Sequence, residues 1–365
     1  MQNVFKKISS DKNKKKILIL GDSIVDQYIF GETLRMAPEA DVPVFTSLKY
    51  ITDLGGAANV FKIIRSLKGN AQICTVIGDD INGEWLKNQL ILLGNDPKLV
   101  VTDKSRRTTI KERYIRNQSE YLFRIDNEDV HDISSDIVDT VYSYIKEHID
   151  TFDMLVISDY AKGFVTDCLS SRIIELFNRF HKPVLVDPKS KNIAKYRQTF
   201  LIKANYKEFR DFLSDTDSSA VFDDDLIAAY SVDLMKEAQI SYFYVTLGEK
   251  GGILIDNHYK PHKVHVRGNT AIDITGAGDT VLAVLAIALV SGIPIHDCVD
   301  FASYAAGVCV SKFGSAVITR DELKNFIRKH IESDTEKKVP HNRGERFDFN
   351  GQPDRRIADK HTRTG

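Results

Sequence analysis

Two kinds of apolar run alternate along the chain. Short, mostly apolar stretches at residues 17–20, 72–77, 154–158, 183–186, 200–202 and 243–246 read as strands buried on both faces, the pattern of a parallel sheet covered by helices. Between them, residues 57–67, 82–93, 135–148, 167–180 and 224–238 repeat apolar positions at helical spacing, as a helix with one buried face does. The alternation predicts βαβ units and an α/β fold with helices on both sides of the sheet. Two stretches, 42–51 and 108–125, are rich in β-branched and aromatic residues, alternate polar with apolar, and have no helix of their own. They predict antiparallel strands in a small inserted sheet that serves as a lid, a dimer contact, or both.

Composition narrows the function classes. The chain of 365 residues is 42% hydrophobic, with 50 basic against 51 acidic residues. That balance excludes a disordered or collagen-like chain and a dedicated polyanion binder, so no nucleic-acid partner is expected. At roughly 100 to 200 residues per domain the length suggests two domains, although single α/β domains often run longer. Cys74, Cys168, Cys298 and Cys309 form no CxxC pair, which argues against a disulfide framework or structural zinc and fits a reducing cytoplasm. The longest apolar run, 281–290, is half of the ~20 residues a membrane span needs. The run 17–20 behind the N-terminal lysines is too short for a signal-peptide core. No membrane insertion is expected. Beyond 331 the chain turns polar, which predicts a flexible tail.

The strongest chemical signal is Asp273-Ile274-Thr275-Gly276-Ala277-Gly278-Asp279-Thr280, followed at once by the run 281–290. Small residues let the backbone approach a ligand, and the start of the helix aims N–H groups at the same place, an arrangement suited to phosphate. A carboxylate at Asp279 can take a proton from an attacking hydroxyl while those N–H groups stabilise charge developing on a phosphoryl group. Taken alone, the octapeptide is equally compatible with a capped helix after a tight turn. It is not a P-loop, since no GxxxxGK[ST] occurs, nor a dinucleotide fingerprint, whose third glycine would fall at Val281. A second cluster, Gly55-Gly56-Ala57-Ala58-Asn59, precedes another helix. Its amide can both donate to and accept from a sugar hydroxyl, though taken alone the cluster reads more readily as an ordinary loop-to-helix turn.

Paired in this order and far apart in the chain, the two clusters resemble the two signatures of the ribokinase-like (PfkB) carbohydrate kinases, with the likeness running over about residues 16–327. Within that family, other pieces are similar to the D-glycero-β-D-manno-heptose 7-phosphate kinases of ADP-heptose synthesis. They are Gly21-Asp22 with Asp26 and Tyr28, Arg35 with Pro38-Glu39-Ala40 and Val42-Pro43-Val44, Ser158-Asp159-Tyr160-Ala161-Lys162-Gly163, Asp187-Pro188-Lys189, Asn205 with Glu208, and Ala305-Ala306-Gly307-Val308. Ala37 and Asp41 depart from the usual Arg-Ile-Ser-Pro-Glu-Ala-Pro-Val-Pro-Val pattern.

The resemblance implies a three-layer ribokinase-like fold with a mainly parallel central sheet and a small inserted β-sheet lid. The kinase domain would cover 16–331, with lid strands at about 27–51 and 108–126, a basic N-terminal extension at 1–15 and a flexible polar tail at 332–365. It implies transfer of the ATP γ-phosphoryl group to a sugar hydroxyl, with Asp279 as base and the N–H groups of Gly276, Ala277 and Gly278 as anion hole. Asp22, Gly55, Gly56 and Asn59 would hold sugar hydroxyls, with Asp26 and Asp159 beside them. A substrate already carrying a phosphate needs a cation, and Arg35, Lys111, Arg113, Arg124, Lys162 and Lys189 are the candidates, Arg35 and Lys189 first because they stand inside matched motifs.

Asn205 and Glu208 resemble the element that positions Mg²⁺, Glu208 directly or through water, and Thr246, Gly248, Gly251 and Thr275 resemble the stretches that receive the nucleotide. The expected cofactors are ATP and Mg²⁺, with a monovalent cation as a further candidate. The expected partners are small molecules, and a homodimer through the lid strands is a candidate assembly. No His-x-Gly-His nucleotidyltransferase site occurs, so the kinase step alone is expected. Two readings compete: a PfkB kinase of another sugar, sugar phosphate or nucleoside, and a catalytically silent sugar-binding regulator, which an intact Gly276, Gly278 and Asp279 disfavour.

Overall fold

Strands that are apolar on both faces need cover on both sides, and the computed structural model shows how it is supplied. It describes all residues except 11–14, 118, 214–220, 269–270, 315–316 and 339–365. In chain order the elements among the described residues are α1 (Gln2–Ser10), β1 (Lys16–Gly21), β2 (Ser23–Met36), β3 (Pro43–Gly56), α2 (Ala57–Ser66), β4 (Asn70–Ile77), α3 (Ile81–Leu92), β5 (Val100–Thr102), β6 (Ile110–Arg116) and β7 (Glu120–Asn127). There follow α4 (Ser135–Glu147), β8 (Met154–Ser158), α5 (Asp167–Arg179), β9 (Val184–Asp187), β10 (Leu201–Asn205), α6 (Tyr206–Phe212), α7 (Asp224–Ala238), β11 (Tyr242–Thr246), β12 (Gly252–Ile255), β13 (Pro261–Val264), α8 (Ala277–Val290), α9 (Ile295–Val310) and α10 (Arg320–Lys338).

The main sheet has nine strands in the order β13-β12-β11-β10-β9-β8-β1-β4-β5. From β11 to β5 the neighbours are parallel, as the apolar runs predict for all but the three-residue β5, which no run marks. The hairpin β12–β13 adds an antiparallel edge. Its four-residue strands are too short to stand out in the sequence, and its turn is held by Asp256, whose carboxylate accepts the N–H groups of His258 and Lys260. On one side of the sheet, Val138 and Ile145 of α4, Phe177 of α5 and Leu234 of α7 join one core with β8 and β9. On the other, α8 is flanked by α2 and α9, and every residue from Asp279 to Ala288 is buried. That burial explains why the run 281–290 lacks a polar face.

The inserted sheet has four strands in the order β3-β2-β6-β7. Its boundaries differ from the expected 27–51 and 108–126: β2 already begins at Ser23 and β3 continues to Gly56, so the lid grows directly out of β1 and delivers the chain to α2. The wholly antiparallel expectation is corrected as well. β2–β3 and β6–β7 are antiparallel, but β2 and β6 run parallel, because α2, β4, α3 and β5 intervene between the two hairpins.

Met1–Ile327 form one compact unit and Arg328–Gly365 another. In the first, part of the expected N-terminal extension is the helix α1, whose Lys7 donates to the Gly292 carbonyl at 2.8 Å. In the second, the chain stays helical to Lys338, past the expected start of the tail. The rest of that expectation, 339–365, lies outside the described residues. Among the described residues no helix is long and apolar enough to cross a membrane.

Candidate active site

The site residues gather at the carboxyl ends of the parallel strands, the edge where open α/β sheets bind ligands. Gly276 caps α8 in the left-handed conformation, φ 77°. Before it, Asp273 accepts the Thr275 N–H and hydroxyl on one oxygen, at 2.9 and 2.7 Å, and the Tyr121 hydroxyl and Gly314 N–H on the other, each at 3.0 Å. Of the expected anion-hole donors, the Ala277 N–H bonds the Ile274 carbonyl at 3.2 Å, while Gly278 is exposed. A Cβ on Gly278 would stand 3.2 Å from the Lys203 ammonium, so an anion at the start of α8 would also meet that charge.

Asp279 is buried, and each of its oxygens has a donor: Tyr160 Oη at 2.6 Å on Oδ1 and Asn59 Nδ2 at 2.7 Å on Oδ2. Burial pushes its pKa up, while Tyr160, Asn59 and the Lys203 charge pull against it. Asn59, on the first turn of α2, is almost fully buried, and its Oδ1 has no partner among the described residues. That orphaned acceptor suits a ligand hydroxyl.

The glycines before Asn59 are demanded by geometry. A Cβ on Gly55 would lie 2.4 Å from Asp26 Oδ2, and Gly56, at φ 56°, would bring one to 2.5 Å from the Asp22 carbonyl. Asp26 pairs with Arg113 at 2.7 Å. Asp22 accepts the N–H groups of Tyr160, Lys162 and Phe164 at 2.9, 3.2 and 3.1 Å, and burial together with the Asp159 charge lifts its pKa to about 6. Asp159 accepts the Ala161 N–H, the Lys195 ammonium and the Tyr196 hydroxyl. Both aspartates thus hold the loop 160–164 in place.

Farther along the same edge, the buried Lys203 of β10 pairs with Asp187 at 2.6 Å. Burial opposes its charge, but Asp187, Glu208 and Asp279 outweigh that and hold its pKa above the ordinary lysine value. Asn205 and Glu208 form a reciprocal cap on α6, and Lys189 reaches Glu208 at 2.6 Å. In the nucleotide stretch, Thr246 lies beside Asn205 in the sheet register. Gly248 has φ 59° with open space where a Cβ would be, whereas at Gly251, φ 90°, a Cβ would strike the Val264 carbonyl at 2.0 Å.

The remaining cations divide by place. Sheet register lines up Asp53, Asp26, Lys111 and Asp126 in one row across the lid, and Ile51, Tyr28, Arg113 and Arg124 in the next row on the same face. Lys111 lies 3.9 Å from Asp126, Arg124 pairs with Asp126 at 2.6 Å, and Lys162 with Glu128 at 2.6 Å. Burial lowers the Lys111 pKa, and the nearby Arg124 and Lys162 charges lower it further against Asp126 and Glu128. Three of the six candidates therefore converge. Arg35 is exposed at the far end of β2 and stands apart from them.

A family model described as pfkB family carbohydrate kinase matches residues 14–321. The chain belongs to the pfkB family of carbohydrate kinases. Curated relatives of this kinase include the bifunctional protein HldE of Wolinella succinogenes, 32% identical over 332 residues, covering 91% of this chain and 69% of that protein. The bifunctional protein HldE of Helicobacter pylori strain G27 is 36% identical over 310 residues, covering 85% and 65%. The kinase thus spans about two-thirds of the length of these relatives. Among solved structures, ribokinase of Arabidopsis thaliana complexed with ribose and ATP superposes with a TM-score of 0.66 at 18% identity, over 86% of this chain and 99% of that one. Phosphofructokinase-2 of Escherichia coli in complex with potassium gives 0.70 at 16%, over 86% and 98%. The fold is ribokinase-like.

Sequence reasoning gives no role in this carbohydrate kinase to Tyr160, Asp187 or Lys203. Tyr160 and Asp187 stand inside matched motifs. Lys203 directly follows the apolar run 200–202 and falls inside β10 only in the structure.

Proposed function

We propose that this carbohydrate kinase phosphorylates a sugar that already bears a phosphate, converting D-glycero-β-D-manno-heptose 7-phosphate to the 1,7-bisphosphate with ATP, in the cytoplasmic synthesis of ADP-heptose for the lipopolysaccharide core. The observation that carries this reading is the convergence of Lys111, Arg124 and Lys162, with Lys162 only two residues beyond Tyr160, whose hydroxyl touches Asp279. One substrate could offer a hydroxyl to Asp279 and a phosphate to the three cations. Similarity to bifunctional HldE proteins supports the heptose reading.

In this mechanism Asp279 takes the proton of the acceptor hydroxyl as its oxygen bonds the γ-phosphorus. The bond from that phosphorus to the β–γ bridging oxygen breaks, and ADP leaves with the electron pair. The start of α8 and Lys203 face the charge that develops on the transferred group. Asn59 and the end of β3 at Gly55 and Gly56 align the sugar, while Thr246, Gly248, Gly251 and Thr275 receive the nucleotide. The residues fit Mg²⁺: Asp187, paired with Lys203, and Glu208, paired with Lys189, supply two carboxylates at this edge, and Mg²⁺ needs only one or two protein carboxylates beside phosphates and water. Glu208, held by Asn205 and Lys189, would reach it through water; when bound, the ion draws charge from the phosphates.

Phosphorylation of heptose 7-phosphate, fructose 6-phosphate, ribose and adenosine with Mg²⁺ and ATP, each with and without potassium, tests the reading. Heptose 7-phosphate is expected to be turned over fastest. Preference for ribose or adenosine overturns the proposal. Fructose 6-phosphate represents the second reading, another sugar phosphate, which the exposed position of Arg35 favours.

A further inference from the structure

The hydroxyl of Tyr160 reaches the base, and the surrounding structure fixes it there. Its ring sits at the start of the loop that Asp22 ties down through the N–H groups of Tyr160, Lys162 and Phe164. Asp159, anchored by Lys195 and Tyr196, adds the N–H of Ala161. Ala161 is held at φ 54°, a left-handed conformation uncommon for a residue with a Cβ. At Gly163, φ 87°, a Cβ would run into the His131 carbonyl at 1.9 Å. The loop thus delivers the phenol to Asp279 Oδ1 at 2.6 Å, opposite the Asn59 amide at 2.7 Å on Oδ2. An ionised carboxylate has about four acceptor positions, so two neutral donors fix its plane and leave room for the acceptor hydroxyl.

We propose that Tyr160 is a positioning residue for phosphoryl transfer: its phenol, aimed by Asp22 through the loop 160–164, orients Asp279 and keeps it ionised inside a buried site. The inference rests on the reading of Asp279 as the base and is independent of which sugar is the substrate. The groups that bear on Asp279 are Asn59 from α2, Tyr160 from the loop after β8, Lys203 from β10, Asp26 from β2, Asp187 from β9 and Cys309 from α9. Burial raises the pKa of Asp279, the two hydrogen bonds and Lys203 lower it, and Asp26 raises it. Tyr160 itself is driven well above the ordinary phenol range by burial and by Asp279, so it stays protonated and serves as donor only.

The test uses the full chain carrying Tyr160→Phe, with Asp279→Asn as control and thermal melting as a check on folding. Two quantities are read: the acid limb of kcat/KM against pH, and the titration midpoint of the Asp279 carboxyl by ¹³C NMR, its resonance assigned by its loss in Asp279→Asn. Both are expected to move up by about one pH unit, tenfold in proton affinity, with the variant's rate approaching wild type at alkaline pH. Replacement of Tyr160 by 3-fluorotyrosine, a stronger donor of the same shape, is expected to move the midpoint down. An unmoved midpoint in both variants overturns the inference, even if the rate falls uniformly. Wild-type turnover by Asp279→Asn would instead refute the base, an outcome that the midpoint does not mimic.

Discussion

The carboxyl edge of the main sheet and the inner face of the lid both concentrate charge, but in opposite ways. At the sheet edge each buried carboxylate meets designated donors: Asp22 three N–H groups, Asp159 a lysine and a tyrosine, Asp187 a lysine, Asp279 a phenol and an amide. On the lid and the adjoining loop, the three cations Lys111, Arg124 and Lys162 are paired with the two carboxylates Asp126 and Glu128. Burial makes an unpaired charge expensive, so the edge is rigidly complemented. The half-buried lid tolerates a surplus of positive charge that an incoming anion can complete. In the proposed mechanism, reacting groups are thus fixed by the protein, and substrate charge is met where the protein leaves an imbalance.

The largest effect expected from disturbing the edge is on chemistry. Asp279→Asn should reduce kcat by about 10² to 10⁴ with the melting temperature nearly unchanged; near-normal turnover would remove the distinction between the regions. Next is Lys203→Met, which leaves Asp187 buried without its partner. It should cost about 3–5 kcal/mol in denaturant unfolding, and a loss under 1 kcal/mol would show that the edge does not depend on one-to-one pairing. In the lid, Lys162→Ala should raise KM for a phosphorylated acceptor by about tenfold or more, the worth of one charged hydrogen bond, and leave KM for ATP in place. Equal effects on both substrates would show that the cluster is not a phosphate site.

The smallest effect concerns pH. The folded-state pKa of Asp22, about 6 against an ordinary 3.8, means that the native state binds the extra proton. Its contribution to stability therefore falls as pH rises through that window and remains lost above it. Asp22→Asn removes this term, so its melting temperature should rise more steeply than that of wild type from pH 4 to 6, by a few degrees. Parallel melting curves would place the titrating group elsewhere.

What could be read from the chain follows the same division. The parallel strands other than the three-residue β5 announce themselves because burial on both faces leaves them apolar, and Asn205-x-x-Glu208 is visible as a local cap. The start of β2 is not visible, because Ser23 to Asp26 mixes polar and apolar residues, nor are the brief β12 and β13. That Asn59 and Asp279 serve one site follows from two motifs taken together, but the hydrogen bond between them does not. The role of Tyr160 has no sequence signal beyond its motif, since it depends on Asp22, Asp159 and a left-handed Ala161 folding one loop. Among the phosphate candidates, motif membership ranked Arg35 and Lys189 first, whereas register puts Lys111 and Arg124 on adjacent rows of one face of the lid and the loop after β8 brings Lys162 near them. Cross-strand neighbours, unlike local patterns, are created only by the fold.

The bond between Asn59 and Asp279 spans 220 residues of chain, and β1 is paired on both sides, between β4 and β8. Contacts so remote in sequence form only after long loops have closed. Turnover is therefore a report on completed assembly. A protein cut between these residues would hold its amide on one fragment and its base on the other, and would regain activity only as the two fragments recombine, in proportion to the complex they form.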